Sequence, residues 1–170
     1  MNIKLKPGDI FLSKNPMLLG RFINAVQKFY ATDNQSKYSH AGLIITSTGR
    51  TFESLWTVKS QDLYKAYKGN EVLIGRCTDI SNTLFSIGFS SIYREHGGQF
   101  YPFQRLLFHI LKPFAKYIHI SNHLVCSELV AKFLYRIGLK NNYLGITPDD
   151  LESMIRNYKN FRIVYEGEIK

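Results

Sequence analysis

Cysteine is scarce in this chain. Cys77 and Cys126 are its two cysteines, too few for a disulfide framework, so both are expected as free thiols. Long apolar runs are also missing: none reaches the ~20 residues that crossing a bilayer requires. The opening Met1-Asn2-Ile3-Lys4-Leu5-Lys6-Pro7-Gly8 lacks the apolar core of a signal peptide, which makes the cytoplasm the expected compartment. Internal repeats, low-complexity tracts and Ser/Pro-rich linkers are absent, which argues for one domain over residues 1–170. Acidic residues are in deficit, thirteen against twenty-two Lys and Arg, giving a formal charge of +9. That balance favours anionic partners. The basic residues are scattered and no recognised binding motif accompanies them, so nucleic acid is not expected among those partners.

What is present is enough apolar mass for one buried core, at 45% hydrophobic residues in 170. Lys6-Pro7-Gly8-Asp9 reads as a turn that delivers Ile10-Phe11-Leu12 as a short strand. Residues 17 to 30 read as a helix and Asp33 to Lys37 as a loop. Tyr38–Ile45 and Thr51–Thr57 read as strands of a hairpin joined by Thr46-Ser47-Thr48-Gly49-Arg50. Val72–Cys77 is a further strand, and a helix capped by Asp79 or Ser81 follows, ending at Gly97-Gly98. Residues 121 to 137 carry Val125, Leu129, Phe133 and Ile137 at four-residue spacing with Gly138 as the stop. Thr147-Pro148-Asp149-Asp150 opens another helix, with Thr as cap and Pro at the first helical position. Phe161–Tyr165 closes as a strand. Helices and hairpin-linked strands in this order imply an α+β fold with a mainly antiparallel sheet.

A cysteine with an ordinary pKa of ~8.5 is mostly protonated at neutral pH, so a nucleophilic thiol needs something that stabilises its thiolate. Cys126 lies near the start of the helix over 121–137, where free backbone N–H groups and the helix dipole favour negative charge and can receive an oxyanion. His40, on the strand Tyr38–Ile45, supplies a base if the sheet packs against that helix. Glu53 is the candidate third group, to fix the imidazole tautomer. Its availability turns on parity. An even hairpin loop puts Glu53 on the same sheet face as His40, opposite Gly42 or Ile44, and a partner without a side chain at Gly42 would let it lean diagonally toward His40. An odd loop without a bulge removes it to the other face.

These residues resemble the circularly permuted papain-like hydrolases of the NlpC type, which are related to the lecithin retinol acyltransferases. The resemblance is carried by Pro7-Gly8-Asp9-Ile10, Ser39-His40-Ala41-Gly42-Leu43-Ile44, Phe52-Glu53-Ser54, Val125-Cys126-Ser127-Glu128-Leu129-Val130 and Thr147-Pro148-Asp149-Asp150-Leu151. Ordinary papain-like enzymes place Cys before His; here His40 comes first, as in the permuted group. The resemblance implies a Cys-His pair with a polar third residue, by motif position Cys126, His40 and Glu53. It implies a mainly antiparallel sheet or small barrel packed against helices, with the nucleophile at a helix N-terminus and no cofactor. Family members also carry a Tyr-Asp pair after a Gly-rich turn, where this chain has Tyr101-Pro102.

The implied activity is that of a cysteine amidase or peptidase working through an acyl-enzyme on peptide or peptidoglycan-type amides. A lipid acyl hydrolase or acyltransferase is the enzymatic alternative. A noncatalytic module that binds protein or an anionic membrane surface through the aromatic, basic segment Phe100–Ile120 is the alternative of another class. Taken alone, Cys126 fits structural burial beside Val130, Phe133 and Ile137, His40 a core histidine and Glu53 a solvated strand residue. Glu128 fits a first-turn acid, and Cys77 is assigned to packing. His119, His123 and Cys126 have a spacing that can line three metal ligands along one helical face, although no metal is expected; His123 also competes with His40 as base.

Overall fold

The computed structural model describes residues 3–14, 37–55, 57–99 and 124–170. The readings made for residues 17–30, for Phe100–Ile120, and for Tyr101, His119 and His123 lie outside the described residues. Six strands are described: β1 Ile10–Ser13, β2 His40–Ile44, β3 Arg50–Ser54, β4 Val58–Asp62, β5 Glu71–Cys77 and β6 Phe161–Glu168. They form one antiparallel sheet in the order β4-β3-β2-β1-β5-β6. Four helices accompany it: α1 Leu63–Ala66, α2 Asn82–His96, α3 Cys126–Arg136 and α4 Pro148–Asn157. The expected α+β class with a mainly antiparallel sheet is therefore present. Among the described residues no helix is long and apolar enough to cross a membrane.

Side chains alternate across a strand, and here both faces are buried. Ile10, Leu12, Ala41, Leu43 and Phe52 pack beneath α3 with Leu129, Val130 and Phe133. Phe11, Ile44, Val72 and Ile74 form a smaller core on the other face with Leu5, Leu63 and Tyr67. Contact between α2 and α3 is close at Gly88, where an added Cβ would come within 2.5 Å of Ile137 Cγ2.

Two expected boundaries are corrected. The strand expected over Thr51–Thr57 ends at Ser54, because the Leu55 N–H donates to Thr57 O at 3.2 Å and the chain folds back as β4. That strand, Val58-Lys59-Ser60-Gln61-Asp62, carries little apolar alternation, and the four-residue α1 behind it is capped by Asp62, which accepts the Lys65 N–H at 3.0 Å. The helix expected from residue 121 begins at Cys126, since Val125 is extended at φ −73° and ψ 165°. Elsewhere the caps fall as the sequence implies. Ser81, rather than Asp79, caps α2 by accepting the Leu84 N–H at 3.2 Å. Thr147 and Asp150 cap α4 reciprocally, with Pro148 in its first turn.

Candidate active site

Cys126 is the first residue of α3, so its N–H belongs to the group of helix donors that find no carbonyl within the helix. Val125 has no side-chain oxygen to cap that end. Instead Glu128, buried in the first turn, accepts the Val125 N–H at 3.3 Å through one oxygen and the Gly145 N–H at 2.9 Å through the other. The Ser127 hydroxyl donates to Ile146 O at 2.6 Å, and the Ser54 hydroxyl at the end of β3 donates to Leu124 O at 3.0 Å. The start of α3 is thereby fastened both to the sheet and to the loop before α4. Glu128, read from the sequence as a dipole acid, has this second task.

His40 is the first residue of β2, opposite Ser13 on β1. The sheet does pack against α3, as the assignment of His40 requires, but through Ala41 and Leu43. His40 shares the opposite face with Gly42 and Ile44; its ring lies 6.0 Å from Phe11 and stacks 6.2 Å from Tyr67. It comes within electrostatic reach of the thiol because β2 and α3 both begin at the same end of the sheet. His40 Nε2 lies 2.7 Å from Glu53 Oε2, so Nδ1 is the ring nitrogen left for a second partner.

Hairpin parity decides the position of Glu53. Leu43 pairs with Phe52 and Ile44 with Thr51, and the Ile45 N–H donates to Arg50 O at 2.8 Å. Residues 46 to 49 remain as an even loop, and Glu53 falls on the face of His40, opposite Gly42. A Cβ at Gly42 would stand 3.0 Å from Glu53 Cβ and 2.3 Å from Phe11 Cε1. The Glu53 carboxylate is fully buried. Besides His40 it accepts a bond from Thr51 Oγ1 on Oε1 at 2.5 Å, and the Tyr67 hydroxyl donates to Oε2. Neither Thr51 nor Tyr67 emerges from the sequence reading. Thr51 was accessible by strand alternation, two residues before Glu53; Tyr67 follows the unexpected α1 and carries no local signal.

Burial works against charge on His40, but neighbouring Cys126 and then the Glu53 carboxylate outweigh it and raise the imidazole to about 10. Burial likewise pushes Glu53 up, and the bonds and charge from His40, then Thr51 and Tyr67, hold it below the usual carboxylate range. Burial and the Glu53 charge push Tyr67 well above an ordinary tyrosine, so it remains a donor. Cys77 is different: burial pushes its thiol up, and its side-chain neighbour is the Asn160 amide at 3.6 Å. Among the described residues no group of three or more His, Cys, Asp or Glu side chains is arranged to hold a metal ion.

No protein-family model matches the chain. No curated protein matches its sequence. Among solved structures the fold is similar to that of metalloprotein yiiX from Escherichia coli O157:H7 (DUF1105), with a TM-score of 0.57 and 17% identity over 97% of this chain and 99% of that one. At that identity the likeness concerns the fold.

Proposed function

We propose that this chain is a cysteine-dependent acyl-transfer enzyme of papain-like, circularly permuted architecture, working as an amidase or peptidase. One observation carries the reading: buried His40 lies 2.7 Å from the Glu53 carboxylate and within electrostatic reach of Cys126 at the start of α3. A histidine that merely fills a core has no need of both a thiol and an ionised carboxylate.

In this reading the Cys126 sulfur attacks the carbonyl carbon of an amide while the Cys126 N–H donates to the developing oxyanion. The tetrahedral intermediate collapses as imidazolium His40 gives its proton to the departing amine, leaving a thioester. Water then attacks the thioester, His40 takes its proton, and the carboxylic acid leaves as the Cys126 thiolate is restored. Glu53 holds the ring in register and supports its positive charge throughout. Peptide and peptidoglycan-type amides are the proposed substrates; an acyl acceptor other than water would turn the same thioester toward acyl transfer. The yiiX neighbour is described as a metalloprotein, but the described residues here offer no metal-holding group, and no step is assigned to one.

An iodoacetamide-type probe tests the reading. Cys126 is expected to react selectively over Cys77 at neutral pH, and His40→Ala to abolish that selectivity. An inert Cys126, or a rate indifferent to His40, overturns the enzyme reading. Mass spectrometry of the adduct trapped after incubation with cell extract then reports the acyl group.

A further inference from the structure

We propose that Tyr67 and Thr51 are positioning residues that keep Glu53 ionised in a dry cradle, so that His40 rests as imidazolium before any substrate arrives. The inference rests on the assignment of Cys126 and His40 proposed above. A fully buried carboxylate is costly unless its lone pairs are occupied. Here both oxygens are served by neutral donors in addition to the imidazole: Thr51 Oγ1 on Oε1 and the Tyr67 hydroxyl on Oε2, the same oxygen that receives His40 Nε2. Hydrogen bonds to the charged form favour that form.

Tyr67 is itself fixed. Its ring meets Phe11 edge-on at 5.0 Å and stacks with His40 at 6.2 Å. The charged or titratable groups around Glu53 come from three directions, His40 from β2, Tyr67 from beyond α1 and Lys59 across from it on β4, with Cys126 of α3 beyond His40 and Tyr67. Lys59 is exposed, so support for the carboxylate falls to the buried groups. Without the Tyr67 hydroxyl, Glu53 would hold a proton to higher pH. A neutral Glu53 no longer supports imidazolium, and the thiolate loses its counterion in turn.

The test is the pH profile of Cys126 alkylation by iodoacetamide from pH 4 to 9, followed by intact mass with Cys77 as internal reference. Tyr67→Phe keeps the ring and removes the hydroxyl. Its acid limb is expected to move up by roughly one pH unit, so that alkylation at pH values below the wild-type limb slows roughly tenfold while the alkaline plateau is kept. A purely structural role would lower the melting temperature or scale the whole profile without moving the limb. Thr51→Val, which leaves Tyr67 in place, is expected to move the limb in the same direction. A limb unmoved in folded Tyr67→Phe overturns the proposal, as does one unmoved in Thr51→Val where Tyr67→Phe is too unstable to measure. If wild-type Cys126 already behaves as an ordinary thiol and ignores His40→Ala, the enzyme reading itself has failed. If the wild type keeps a low acid limb that Tyr67→Phe does not move, only this inference has.

Discussion

A buried imidazole between a thiol and a carboxylate can hold its proton or surrender it to either neighbour, and local electrostatics decide which. At His40 burial favours the neutral ring, yet Cys126 and the Glu53 carboxylate reverse that preference and raise the ring from 6.5 to about 10. A folded-state pKa above the ordinary value means that the charged ring contributes stability in full below about 6.5 and loses it as pH rises through about 10. Cys126 is the largest of the supporting influences. Cys126→Ala should therefore lower the titration midpoint of the His40 ring, followed by its NMR signals between pH 5 and 11. The loss of stability on the alkaline side should move to lower pH with it. A midpoint that stays near 10 in Cys126→Ala would refute thiolate support of the ring charge.

At the scale of elements, the site depends on one hairpin. The alternation of β2 and β3 puts His40, Gly42, Thr51 and Glu53 on one face only because the loop of residues 46–49 is even; one residue more or fewer would carry Glu53 to the other side of the sheet. This condition was legible in the sequence, and so was the room that Gly42 leaves. Gly42→Ala tests it. The new methyl would meet Phe11 Cε1 at 2.3 Å and Glu53 Cβ at 3.0 Å, and overpacking of this kind costs about 1–3 kcal/mol. A lower urea midpoint is expected, together with slower Cys126 labelling as Glu53 is pushed from His40. A stable Gly42→Ala protein with wild-type labelling would mean that hairpin packing does not position Glu53. What the sequence concealed was tertiary. β4 lacks a clear apolar period, α1 is too short to show one, and Tyr67 reaches the site only because both turn the chain back across β3. The sheet face of His40 was hidden for the same reason, since a strand period gives two faces without saying which one a helix will cover.

Across the whole molecule, the Pro7-Gly8-Asp9 motif belongs to the scaffold rather than to the chemistry. Gly8 takes φ +94°, a left-handed turn that suits glycine. Asp9 follows it, buried, with both oxygens bound by Arg76 of β5 at 2.7 Å and one also bound by the Lys6 N–H at 2.8 Å. Arg76 further donates to Lys4 O at 2.6 Å, tying the first residues of the described chain to the sheet. Asp9 precedes β1 and Ser13 ends it beside His40, so the two ends stand roughly 13 Å apart at ~3.3 Å per residue. The Pro7-Gly8-Asp9 turn thus stands at the far end of β1 from His40. Arg76→Met should separate the two roles. It leaves the Asp9 charge buried with one backbone donor, a loss of the kind that costs about 3–5 kcal/mol, and the urea midpoint should fall accordingly. Cys126 alkylation in the protein that remains folded should keep the wild-type rate and acid limb, because β1 transmits the packing of its two faces but no charge between its ends. An acid limb that moves with the loss of Arg76 would show instead that the turn and the thiol are electrostatically one unit.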